Sequence, residues 1–124
     1  MILVVEDSGD LADTLTVAFD GLGTVVPARN GLEALRVLSG ECGARVRAIV
    51  TDLQMPRMDG FELLEKLQTE GAFHPRPVIV ISGDTDPAVP GRVRGLGASA
   101  FFPKPFSPGE VKAKLEALLN AQGG

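Results

Sequence analysis

Ile2-Leu3-Val4-Val5-Glu6-Asp7 begins with four apolar residues in an unbroken run, cut off by two acids. A strand with one wet face alternates apolar and polar residues; a continuous apolar run suits a strand buried on both faces. Four more short β-rich runs follow: Thr24-Val25-Val26, Ala48-Ile49-Val50-Thr51, Val78-Ile79-Val80-Ile81 and Ala100-Phe101-Phe102. Between them the apolar residues change to helical spacing. Leu11, Leu15, Ala18 and Phe19 share one helical face, as do Leu32, Leu35 and Leu38; Phe61, Leu64 and Leu67; and Val111, Leu115, Leu118 and Leu119.

Helix starts are marked by capping side chains three residues ahead of a carboxylate: Asn30 with Glu33, Asp59 with Glu62, and Ser107 with Glu110. Pro108 suits a first helical position, and Gly21, Gly23, Gly40, Gly43 and Gly71 stand where helices should stop. The span from Asp86 to Leu96 should hold the fourth helix but contains Pro87, Pro90, Gly91 and Gly95. With Pro87 in its first turn, Pro90 would cost a backbone hydrogen bond, so a short or distorted helix is expected. Strands alternating with helices imply an α/β fold: a five-stranded parallel sheet with helices on both faces and right-handed crossovers. At this length the flavodoxin-like strand order 2-1-3-4-5 fits, and ligand chemistry then belongs at the carboxyl ends of the strands beside the first and third.

With 124 residues the chain has room for one domain, 1–124. A net charge of -4 and 23% charged residues argue against both a disordered polyanion and a basic nucleic-acid binder, and the arginines at 45, 47, 57, 76, 92 and 94 are dispersed among acids. A single cysteine, Cys42, excludes an internal disulfide, and a single histidine, His74, excludes a His-rich metal site. The runs Met1 to Val5 and Pro77 to Ile81 fall far short of the ~20 residues of a membrane span. No basic stretch precedes Glu6 and Asp7, so neither a signal peptide nor a membrane partner is expected, and the expected location is the cytoplasm.

Five strand-end residues carry the chemistry. The first strand runs into Glu6 and Asp7, the third into Asp52, the fourth into Ser82-Gly83, and the fifth leads to Lys104-Pro105. Three carboxylates on one rim need a cation; with oxygen donors only, that cation is hard: Mg²⁺, with Mn²⁺ or Ca²⁺ as substitutes. Lys104 can pair with a carboxylate and then with a phosphoryl oxygen, Ser82 can donate to that oxygen, and Asp52 can be the nucleophile that becomes an aspartyl phosphate.

The chain resembles the receiver domains of two-component response regulators. The similarity rests on Ile2–Asp7, on Thr51-Asp52-Leu53-Gln54-Met55-Pro56-Arg57-Met58-Asp59-Gly60, on Ile81-Ser82-Gly83-Asp84, and on Gly97-Ala98, Phe101 and Lys104-Pro105-Phe106. The resemblance implies that Asp52 is phosphorylated from a phosphohistidine on a sensor histidine kinase or histidine phosphotransfer protein. It implies that Asp7 and Asp52 bind Mg²⁺ directly, with Glu6 acting through water and the Gln54 backbone carbonyl completing the protein ligands. Ser82 and Lys104 would contact the phosphoryl group, Phe101 would be the aromatic switch, and Gln54 and Asp84 would tune acyl-phosphate lifetime. Glu6 replaces the family's commoner Asp, and Phe101 lacks the hydroxyl of Tyr. The irregular fourth helix lies in the face (fourth helix, fifth strand, fifth helix) that family members use for a homodimer or output docking. No output domain is expected within 1–124; a receiver cut from a hybrid kinase or larger regulator is the alternative.

Three other readings compete. An FMN-binding flavodoxin needs a phosphate-binding loop after the first strand, where Glu6-Asp7-Ser8-Gly9-Asp10 would repel phosphate without a metal. A haloacid-dehalogenase-type hydrolase needs a second Asp two residues after the nucleophile, where Gln54 stands. A degenerate receiver acting as a scaffold is disfavoured because every motif position is filled.

Overall fold

The computed structural model describes residues 1–55, 58–69 and 76–122; Pro56, Arg57, Gly71 and His74 lie outside them. The elements are β1 (Ile2–Val5), α1 (Gly9–Ala18), β2 (Val25–Ala28), α2 (Gly31–Ser39), a short 3-10 turn (Gly43–Arg45), β3 (Ala48–Asp52), α3 (Gly60–Thr69), β4 (Val78–Ser82), α4 (Val89–Gly95), β5 (Ala100–Pro103) and α5 (Pro108–Gln122). All strand pairs are parallel and the order is β2-β1-β3-β4-β5, as the sequence pattern predicts.

The continuous runs form the middle of the sheet. Every residue of β1, β3 and β4 is buried, whereas β2 and β5 are largely half-buried. The two edge strands each contain a proline, Pro27 and Pro103, which cannot donate to a further strand. Side chains alternate across the sheet: Leu3, Val5, Ile49, Val78 and Val80 pack on the face covered by α2, α3 and α4. Ile2, Val4, Val50, Ile79 and Ile81 pack on the opposite face, against Leu15 and Phe19 and against Val111, Leu115 and Leu119 of α5. One expected core residue is misplaced: Leu32 is 36% exposed, and Ala34 is buried with Leu38 in its stead. Gly31, buried at the start of α2, lies so close to Met58 that a Cβ there would meet the Met58 side chain and carbonyl, so only glycine fits this inward position.

All three expected caps form. Asn30 accepts from the Glu33 N–H at 2.9 Å, Asp59 from the Glu62 N–H at 3.0 Å and Ser107 from the Glu110 N–H at 3.3 Å. The fourth helix is short, seven residues, but it escapes the expected proline penalty. Asp86 caps the preceding turn by accepting from the Ala88 N–H at 2.9 Å, and the helix begins at Val89. Pro90 therefore occupies the first turn, where no intrahelical donor is needed. Two links tie α4 to α3: the Arg92 guanidinium lies 3.9 Å from the centre of the Phe61 ring, and Gln68 Nε2 donates to the Gly95 carbonyl at 3.5 Å. No helix among the described residues is long and apolar enough to cross a membrane.

Gly60 is fixed by close approach. It is buried at the start of α3, and a Cβ there would collide with the backbone oxygen of Asp52 and lie 2.8 Å from Leu53 Cα. Both neighbours are backbone, so neither can swing aside. Gly60→Ala should cost about 1–3 kcal/mol in urea unfolding and displace the Asp52 amide in NMR spectra; a wild-type midpoint and an unmoved Asp52 resonance would refute the fit.

Candidate functional site

Strand register assembles the site. Val5 pairs with Thr51, so Glu6 and Asp52 emerge side by side from β1 and β3. Asp52 pairs with Ile81, and Ser82 with Pro103, which brings Ser82 and Lys104 to the same end of the sheet. The Lys104 N–H donates to the Ser82 carbonyl at 2.8 Å, so β5 holds the base of the lysine while its side chain reaches back across β4. Lys104 Nζ meets Asp52 Oδ2 at 2.6 Å and Glu6 Oε2 at 3.7 Å. The Lys104–Pro105 peptide is cis.

Backbone donors hold the carboxylates. The Gln54 N–H donates to Asp52 Oδ1 at 3.1 Å and the Ser8 N–H to Glu6 Oε1 at 3.1 Å. Both oxygens of Asp52 are thus engaged in a residue that is 4% exposed. Glu6 is buried at 5%, Asp7 is exposed, and one carboxylate oxygen from each of Glu6, Asp7 and Asp52 lies within 4.8 Å of the others. Hard oxygen donors at this spacing suit a divalent cation of the Mg²⁺ type.

Burial pushes the Glu6 carboxyl up to about 8, aided by its hydrogen bond to Asp52 and by the charge of Asp52; the Ser8 amide and Lys104 pull the other way. For Lys104, burial favours the neutral amine, but the hydrogen bond and charge of Asp52 and the charge of Glu6 outweigh it and raise the ammonium above its ordinary value. Without a divalent cation, Glu6 therefore keeps a proton in the folded chain at pH values where the unfolded chain has lost it. Its contribution to stability is complete below its ordinary value of 4.5 and is lost as pH rises through about 8. In chelator, unfolding free energy should fall by about 1–3 kcal/mol across that range, and Glu6→Gln should flatten the slope. An equal slope in both proteins would exclude Glu6 as its source.

The Ser82 hydroxyl is fully buried and accepts from the Asp84 N–H at 3.0 Å. No hydrogen bond joins it to Asp52 or Lys104 among the described residues, so the structure brings Ser82 to the rim without engaging it there. Phe101 is half-buried in β5, against the core under α2, α3 and α4. The Gln54 side chain is exposed. Gln54 and Asp84 line an open cleft of about 340 Å³ with Asp7, Leu53, Met55, Asp59 and Phe61. Asp59 caps α3 and Phe61 packs on the core, as their spacing predicts, and each also walls the cleft. Only their proximity to Asp52 through Gly60 hints at it, and that proximity is tertiary. Cys42 is exposed, as its glycine-flanked turn suggests.

A doubly wound parallel sheet with a buried carboxylate paired to a half-buried lysine, among clustered acids at its switch point, defines an α/β domain whose donors suit a hard cation beside an anion. Residues 2–116 match the model of the response regulator receiver domain family. Response regulator MprA of Mycobacterium ulcerans is 37% identical over 122 residues, 95% of this chain and 49% of that protein. Chemotaxis protein CheY1 of Helicobacter pylori is 31% identical over 120 residues, 95% of each chain. The chain thus spans about half of the first relative and nearly all of the second. Among solved structures, the signal receiver domain of a signal transduction histidine kinase from Syntrophus aciditrophicus superposes with a TM-score of 0.85 at 33% identity, covering 97% of this chain and 89% of that one. The receiver domain of the Francisella response regulator 1452 gives 0.88 at 25% identity, covering 98% and 97%. The chain belongs to the response regulator receiver domain family. It is a signalling domain of the phosphorylation-based two-component type, not an enzyme in the usual sense, and the FMN-binding alternative falls away.

Proposed function

We propose that Asp52 accepts a phosphoryl group from a phosphohistidine of a sensor histidine kinase or histidine phosphotransfer protein. One observation carries the reading: the buried Asp52 carboxylate is held by Lys104 at 2.6 Å within the group formed with Glu6 and Asp7. Asp7 and Asp52 would hold Mg²⁺, or Mn²⁺ or Ca²⁺ as substitutes, with Glu6 assisting through water and the Gln54 carbonyl as a further oxygen donor. The cation neutralises the oxygens around the transferring phosphorus.

An Asp52 oxygen attacks phosphorus, the O–P bond forms as the donor's N–P bond breaks, and the imidazole departs. Lys104 exchanges its bond to Asp52 for one to a phosphoryl oxygen. Ser82 turns its hydroxyl from the Asp84 amide toward the same group. Phe101 follows inward into the space Ser82 leaves, while Gln54 and Asp84 border the path of attacking water and tune the lifetime. Residues 1–124 act as a receiver, and the signal leaves through α4, β5 and α5 toward a partner, an output domain or a second copy, in the cytoplasm. The testing experiment is Mg²⁺-dependent labelling by acetyl phosphate, read by a phosphate-affinity gel; no labelling of the wild-type chain would overturn the proposal.

A further inference from the structure

α4 is thinly anchored. Val89 and Val93 are its buried residues, and Cβ atoms added at Gly91 and Gly95 would touch nothing within 4 Å. Besides the Gln68 bond to the Gly95 carbonyl at its far end, its link to α3 is the stack of Arg92 on Phe61, with the Arg92 guanidinium 3.9 Å from the ring centre. Phe61 is also a wall of the cleft that contains Asp7, Gln54 and Asp84. One ring therefore touches both the cleft and, through Arg92, the helix in the proposed output face.

We propose that Arg92 is a positioning residue of the phosphoacceptor site, acting through Phe61: the stack fixes the ring as a cleft wall and couples occupancy of the cleft to the placement of α4. This rests on the proposed role of Asp52. A cation over a ring face restrains both partners, so the wall is set before a phosphodonor arrives, and ordering it costs less on binding. By linkage, whatever occupies the cleft also steadies the ring and, through it, α4. Arg92 lies outside the acidic cluster and the Lys104 pair, so its loss should act on donor binding and α4 rather than on the transfer step.

The test is acetyl-phosphate labelling with Mg²⁺ at varied donor concentration, for wild type, Arg92→Ala, Arg92→Lys, Phe61→Leu and the Arg92→Ala/Phe61→Leu pair. Arg92→Ala should raise the half-saturating donor concentration about two- to fivefold, the size expected of an exposed cation–ring contact, with the plateau rate held. Arg92→Lys should recover part of this. In the Phe61→Leu background Arg92→Ala should add nothing, because the ring through which it acts is gone. Amide NMR with beryllofluoride should show smaller shifts across Val89–Gly95 in Arg92→Ala than in wild type.

Unchanged half-saturation and unchanged α4 shifts in Arg92→Ala would overturn the inference. So would an Arg92→Ala effect that persists in full beside Phe61→Leu, since that marks simple attraction of the anionic donor. Failure of the wild-type chain to label would instead strike the role of Asp52, so the two failures are distinct.

Discussion

Asp52→Asn abolishes Mg²⁺-dependent labelling by acetyl phosphate: this is the expected result, with residual signal at the level of the chelated control. The amide keeps the size of the carboxylate and can still accept from the Gln54 N–H, which now meets Asp52 Oδ1 at 3.1 Å. It removes the nucleophilic oxygen anion and one negative charge from the group of Glu6, Asp7 and Asp52. An amide oxygen is a poor nucleophile and a weak ligand for a hard divalent cation, so acceptance and metal affinity fall together. Stability should change little in that variant, because removing the Asp52 charge lets Glu6 ionise beside Lys104, 3.7 Å away in the wild-type chain. Asp7 is the control position: it is exposed, so Asp7→Asn should weaken Mg²⁺ dependence without abolishing the acceptor. Labelling of Asp52→Asn at the wild-type rate would remove Asp52 from the mechanism.

Lys104→Ala carries the second large effect, and it divides chemistry from response. Beryllofluoride with Mg²⁺ should still reach Asp52, since the acids are untouched, but amide shifts should stop at the site and fail to reach Ser82–Asp84, Phe101 and α4. The physical reason is that Lys104 spans two strands: its backbone N–H bonds to Ser82 O at 2.8 Å and its ammonium bonds to Asp52. It alone ties β5 to the acceptor by a charge-assisted bond among the described residues. Its loss also leaves the buried Asp52 carboxylate without its ammonium partner, so in chelator the variant should be less stable by about 1–3 kcal/mol. The chain has no Trp or Tyr, so amide NMR is the direct readout. A wild-type pattern of shifts in Lys104→Ala would show that another group transmits the signal.

The sheet was legible because burial on both faces leaves a plain mark. Ile2–Val5, Ala48–Val50 and Val78–Ile81 are unbroken apolar runs, and they form the middle of the sheet. The pattern places β2 at Thr24–Val26, one residue early and two short, because Pro27 and Ala28 do not look like strand and join it only by pairing with Val4 and Val5. Spacing alone places Leu32 in the core, whereas α2 turns Gly31, Ala34 and Leu38 inward, with Gly31 close against Met58 of the loop before α3. In α4 the sequence predicts a short or distorted helix from Pro87 and Pro90; the helix is short, but Asp86 caps a turn before it and Pro90 falls in the harmless first turn.

Local chemistry was written along the chain: which residues are apolar, which caps stand before which helices, and which acids, hydroxyl and lysine follow which strands. Those features depend on neighbours within a few positions. The tertiary structure decided what depends on distant ones: the 2.6 Å contact across 52 positions between Lys104 and Asp52, the raised proton affinity of Glu6, and the cis Lys104–Pro105 bond. It also set Gly60 against Asp52 and the double duty of Phe61. Electrostatic energy and steric contact are functions of separation in space, and parallel register brings far-separated residues to one rim at distances no spacing along the chain encodes.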